Sequence, residues 1–343
     1  MNASANPLPV RVAVIGAGAM GRNHVRVYRE LPQAELVGIA DQDRAVTEKL
    51  GQLYGVRAYQ DYREMLARER PEAVSLAVPT QLHAEMALEL LQAGCHVLVE
   101  KPIAAACSEG GRMIAAAEQC GRVLMVGHIE RFNPAVVELK RRLDSGQLGA
   151  LFQVHARRLG PYPTRIQDVG VVLDLAPHDL DLMRYLVGSE VSRLYAEARC
   201  EMNAGNEDLM TGLLRFENGV LGVLELNWVT PTKIRELYVT GERGMFMVNY
   251  ITQDLYFYEN ALAQGEDWHT LSLLRGVSEG AMTRYAVKKA EPLRVELEAF
   301  LRWVCSGEPP GISAQDACVV LDLATRLLES VQRGTALDLR AMA

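Results

Sequence analysis

Val12-Ala13-Val14-Ile15-Gly16-Ala17-Gly18-Ala19-Met20-Gly21 is the stretch on which the fold turns. Its apolar start reads as a buried strand, its glycines as a tight turn, and residues 21–30 as an amphipathic helix. A G-x-G-x-x-G string carries little weight alone. Between a strand and a helix, with Asp41 closing the next strand twenty residues after Gly21, it is a dinucleotide-binding fingerprint. Gly16 permits the turn, Gly18 admits the backbone to a pyrophosphate, and Gly21 lets the helix pack close to the sheet. Ala19 and Met20 open the helix, whose free N–H groups and positive dipole end suit phosphates. Asp41 accepts hydrogen bonds from an adenosine ribose and so favours NAD. Arg44 stands near enough to offset its repulsion of a 2′-phosphate.

Outward from this turn, strands at 11–15, 35–40, 73–78, 96–99 and 123–126 alternate with helices at 21–30, 44–53, 62–68, 81–93 and 108–120. Alternation predicts a parallel sheet covered on both faces, doubly wound, with ligands at the carboxyl ends of its strands. Val78-Pro79-Thr80-Gln81-Leu82-His83 ends one strand there and opens a helix. Pro79 and Thr80 are cofactor contacts in this reading, with Thr80 also able to cap the helix. His83 is either a cofactor contact or a packed histidine. Glu100-Lys101-Pro102 follows the strand at 96–99. Proline ends the ladder and holds Lys101 extended, which aims its ammonium where a nicotinamide would lie. Glu100 is placed with it among the cofactor contacts.

A chain of 343 residues suits two domains, here 1–127 and 128–343. It is 49% hydrophobic and 23% charged, as a globular protein with a large core is. The 36 basic and 43 acidic residues leave a net charge of −7, which argues against a nucleic-acid binder. The six cysteines include no C-x-x-C pair and read as reduced thiols of a cytoplasmic protein. Residues 1–9 lack the features of a signal peptide, and no apolar run is long enough to span a membrane.

After Gly127 the rhythm changes to helices at 134–145, 175–186, 292–305 and 313–333, with strands between. Glu217-Asn218-Gly219 separates two alternating apolar runs, a strong hairpin signal. The second domain is therefore α+β, with a large, mostly antiparallel sheet. Asp174 and His178 lie four apart and share a helix face, with Asp174 near the cap and Pro177 in the first turn. A carboxylate beside an imidazole makes a competent proton shuttle. No third ligand accompanies them, so no metal is expected.

Gly16-Ala17-Gly18-Ala19-Met20-Gly21, Glu100-Lys101-Pro102 and Asp174-x-x-x-His178 together resemble the glucose–fructose oxidoreductase / inositol dehydrogenase / rhizopine-catabolism (Gfo/Idh/MocA) family. The resemblance covers nearly the whole chain. It implies an NAD(P)-dependent sugar or polyol dehydrogenase with Lys101, Asp174 and His178 at the reacting carbon. It also implies a cis Lys101–Pro102 bond and a homodimer or homotetramer built through the second domain's sheet. A narrower resemblance rests on Gly127-His128-Ile129-Glu130-Arg131-Phe132-Asn133-Pro134, on residues 157–165, and on residues 227–236. These stretches are similar to those of members that oxidise UDP-N-acetylglucosamine at carbon 3. There the product feeds an aminotransferase making a 3-amino sugar nucleotide, for instance for lipid A. That resemblance makes His128 and Asn133 substrate contacts.

The residues themselves agree. Arg131, Arg157, Arg158, Arg165, Lys233 and Arg235 sit at loop-like or strand-end positions of an acidic chain, and arginine forks suit a diphosphate. Tyr162 and Trp228 are candidates to stack on uracil or a sugar face. The alternatives are a free polyol dehydrogenase, such as an inositol 2-dehydrogenase, and a catalytically silent NAD-binding regulator. The sequence leaves open whether Lys101 or His178 is the base.

Overall fold

The computed structural model describes residues 8–163, 169–202, 205–261, 278–309 and 311–340. They divide into two compact units, Met1–Ile129 with Glu291–Leu321, and Glu130–Ala290 with Asp322–Ala343. The chain passes from the first unit to the second after Ile129, two residues past the cut placed at 127, and the division is not a single cut. A late segment returns to the first unit.

In that unit β1 (Val10–Ile15), β2 (Ala34–Ala40), β3 (Arg57–Tyr59), β4 (Ala73–Leu76), β5 (His96–Val99) and β6 (Leu124–Val126) form one sheet. All its pairings are parallel and its order is β3-β2-β1-β4-β5-β6, the doubly wound Rossmann arrangement. The order reverses between β1 and β4, and ligands bind at such a switch point. The strands are nearly all buried because helices cover both faces: α1 (Ala19–Glu30), α2 (Arg44–Tyr54), α3 (Tyr62–Glu69), α4 (His83–Gln92) and α5 (Cys107–Cys120). Helix starts follow local chemistry. Asp43 caps α2 by accepting from the Val46 N–H, and Asp61 caps α3 by accepting from Arg63.

The second unit contains α6 (Pro134–Asp144), β7 (Leu151–Pro161), α7 (Val171–Val187), β8 (Val191–Arg199), β9 (Leu209–Phe216), β10 (Leu221–Asn227), β11 (Val229–Gly241), β12 (Gly244–Asn249), β13 (Asp254–Ala261) and β14 (Ser278–Tyr285). Helix α8 (Pro292–Ser306) belongs to the first unit, where Arg26 pairs with Glu291 and Arg294 with Glu30. Helix α9 (Ala314–Arg333) and the short β15 (Leu337–Asp338) end the chain. The nine-stranded sheet runs β14-β13-β12-β11-β7-β10-β9-β8-β15. Only the β7–β10 pair is parallel, because the chain leaves β7 through α7 before its hairpins begin. Asn218 and Gly219 make the β9–β10 turn, with Gly219 at φ +91°. Among the described residues no helix is long and apolar enough to cross a membrane.

Candidate functional site

The first unit holds a cleft of about 700 Å³ where β1 and β4 end. Gly16, Gly18, Asp41 and Pro79 line it, with Tyr62 and Arg63, which the sequence reading missed. Gly16 has φ +92°, and a Cβ there would stand 2.3 Å from the Ala77 carbonyl oxygen. A Cβ on Gly21 would stand 1.7 Å from the Gly16 carbonyl oxygen. The helix therefore closes on the turn itself, and only glycine fits. Nothing lies within 4 Å of a Cβ at Gly18, so the space above it is open. Helix α1 starts there with no side-chain cap and no acid in its first turn, leaving its N-terminal donors to a ligand.

Asp41 Oδ2 accepts from the Ala17 N–H at 2.6 Å and Oδ1 from Asp43 at 2.9 Å. Two carboxylate oxygens keep further lone pairs for a ribose. This donor and acceptor set fits a dinucleotide. Arg44 is exposed and paired with Glu48 at 2.6 Å, and Thr80 opens a 3₁₀ turn without capping it or α4. With Asp41 as the ribose acceptor, NAD is expected to bind more tightly than NADP, and Asp41→Ala is expected to narrow the gap. Dissociation constants for both cofactors check this; equal or tighter NADP binding by the unmodified protein contradicts it.

Two other cofactor candidates are corrected. His83 is 1% exposed. Its Nδ1 lies 2.9 Å from the Pro102 carbonyl oxygen and its Nε2 2.9 Å from that of Val78. Glu100 turns inward, accepting from His24 Nε2 at 2.9 Å. Burial raises the Glu100 carboxyl, but His24 and Lys101 outweigh it and hold the group below its ordinary range. No sequence signal marks His24, because its partner lies 76 residues away. Lys101 itself follows β5, joined to Pro102 by a cis bond, and His128 is buried just past β6.

In the second unit, α7 begins at Val171, earlier than expected. Asp174 is in its first turn, and Pro177 is inside the helix rather than at its start. Asp174 and His178 share one half-buried face. The Glu207 carboxylate caps the helix by accepting from Val172 at 3.1 Å.

The arginines are the main correction. Arg131 is buried and gives Asp181 a two-pronged contact of 2.7 and 2.6 Å. Arg158, 4% exposed, does the same to Asp179 at 2.6 and 3.0 Å and reaches Glu130 at 2.9 Å. Both guanidinium forks anchor α7 instead of facing a diphosphate. Arg157 points to the opposite sheet face by strand alternation, where it pairs with Glu225 and Glu236. Asn133 caps α6, accepting from Ala135 and donating to the Tyr250 carbonyl at 3.0 Å. Trp228 is 3% exposed, with half-buried Tyr162 edge-on at 5.8 Å, so it offers no open ring face. Arg165 lies outside the described residues.

Arg235 remains. It is half-buried, and its Nη1 donates to the Leu159 and Ile234 carbonyls. Among the described residues no carboxylate stands within ion-pair distance of it. Burial, then Arg158, lowers its pKa against the pull of Asp179, Glu130 and Asp174. A cation so placed favours an anion.

Comparison with known proteins agrees with this architecture. Residues 10–128 match the model of an oxidoreductase family with an NAD-binding Rossmann fold, and residues 136–247 that of the GFO/IDH/MocA C-terminal domain. The chain belongs to the Gfo/Idh/MocA oxidoreductase family; it is an NAD-dependent dehydrogenase, and NAD is its cofactor. It is 28% identical over 300 residues to the UDP-N-acetylglucosamine 3-dehydrogenase of Acidithiobacillus ferrooxidans, covering 88% of this chain and 90% of that one. It is 25% identical over 343 residues to the scyllo-inositol 2-dehydrogenase (NAD(+)) of Bacillus subtilis, covering 96% of each. A solved structure of the Acidithiobacillus enzyme superposes with a TM-score of 0.83 at 26% identity, covering 95% and 98% of the two chains.

Proposed function

We propose that this dehydrogenase oxidises the 3-hydroxyl of UDP-N-acetylglucosamine to the 3-keto sugar. Oxidising a secondary alcohol removes a proton from oxygen and a hydride from carbon. NAD, when bound, supplies the hydride acceptor at carbon 4 of its nicotinamide. Lys101 or His178 takes the hydroxyl proton, and Lys101 stabilises the developing alkoxide. Asp174, one turn before His178, orients the imidazole or the sugar. A 3-keto product suits an aminotransferase, giving a 3-amino sugar nucleotide as in lipid A with amide-linked chains. A cytoplasmic homodimer or homotetramer, joined through the larger sheet, completes the proposal.

The observation that carries the substrate class is Arg235, a half-buried guanidinium with no carboxylate partner among the described residues, beside side-chain-free Gly160 and Lys233. A charge-assisted contact to phosphate contributes about 1.5–3 kcal/mol. Titration of the NAD-loaded protein with UDP therefore yields measurable binding, which Arg235→Ala weakens on the order of tenfold or more. NAD affinity stays as it was. A second reading, a free sugar or cyclic polyol as substrate, is favoured by the engagement of Arg131 and Arg158 with internal carboxylates. Absence of UDP binding together with turnover of myo-inositol would establish it. Absence of turnover with any substrate, despite NAD binding, would indicate a silent NAD-binding regulator.

A further inference from the structure

The geometry points to His83 as a positioning residue that clamps the turn carrying Lys101. Both ring nitrogens of this buried imidazole face carbonyl oxygens at 2.9 Å, one belonging to Pro102, directly after Lys101, and one to Val78, which lines the cleft. Carbonyls only accept, so each contact needs an N–H on its own nitrogen. A charged ring makes both bonds, and a neutral ring makes one. Burial lowers the His83 pKa against the two carbonyls and Glu100, so the neutral ring is favoured.

The same turn is held from its other side. Glu100, directly before Lys101, is gripped by His24 and donates its N–H to the Leu76 carbonyl at 3.0 Å. The main chain on both sides of Lys101 is thus fixed by hydrogen bonds within the first unit. The inference rests on the reading of Lys101 as the group acting on the reacting hydroxyl.

The neutral ring donates through one nitrogen only, and in the clamp that N–H is on Nδ1 and goes to the Pro102 carbonyl, the bond that holds Lys101 and governs kcat. An asparagine amide nitrogen superposes on Nδ1 and a glutamine nitrogen on Nε2. His83→Gln loses the Pro102 bond, and its kcat falls on the order of 10- to 100-fold with little change in KM for NAD, the scale of a small misplacement of a reacting group. His83→Asn keeps the Pro102 bond and most of kcat. A purely structural role would lower both parameters alike in both variants, or neither. Equal deficits, or the reverse pattern, overturn the clamp while Lys101→Met remains inactive. Normal turnover by Lys101→Met overturns the underlying reading and the clamp with it. If neither variant folds, NMR of isotope-labelled histidine in the unmodified protein decides. The clamp requires the neutral His83 ring to carry its proton on Nδ1, and a neutral ring protonated on Nε2 alone overturns it.

Discussion

Lys101→Met is expected to stop NADH formation, with a loss of at least ~10²-fold in kcat, while NAD binding stays largely intact. Methionine keeps the length and apolar stem of lysine but can neither take a proton nor donate to an alkoxide. Lys101 does not line the cleft formed by Gly16, Gly18 and Asp41, so cofactor affinity should be nearly unmoved. His178→Asn is expected to lose ~10²-fold as well, the low end for an acid–base residue. The ratio of the two losses, with their pH profiles, assigns the base. Normal turnover in both variants would mean that the chemistry lies elsewhere.

The second large effect falls on stability. Arg158→Met should destabilise the second unit by about 3–5 kcal/mol, because it strands the buried Asp179 and half-buried Glu130 without their counter-charge. Burial opposes the charge on Arg158, but Asp179 and Glu130 outweigh it and raise its pKa further. The loss is read as a lowered denaturant midpoint. Adding Asp179→Leu should restore part of it, since removing both partners costs less than leaving one. An unchanged midpoint with weakened UDP binding would instead return Arg158 to the substrate.

These two residues mark what the sequence makes legible. The turn from β1 into α1 is local: a buried strand, two glycines with no room for a Cβ, and an amphipathic helix appear within twenty-one residues, 10–30. Lys101 and the Asp174–His178 spacing are likewise local signals. The arginines look identical in sequence whether they face a phosphate or an internal carboxylate. What separates them is a partner 21 residues away for Arg158 and 50 away for Arg131. Strand β3, three residues long, is too short to show a period. The return of α8 to the first unit brings its buried Leu293, Leu297 and Phe300 there and forms ion pairs with α1 across more than 260 residues, which no local pattern shows.

The proposed reaction moves hydride from a sugar nucleotide to NAD. It is tested most directly by following NADH absorbance after mixing protein and NAD with UDP-N-acetylglucosamine, N-acetylglucosamine or myo-inositol. The predicted result is NADH formation with UDP-N-acetylglucosamine and little with the other two. NADH formation from myo-inositol alone, or from none of the three while NAD binds normally, would contradict it.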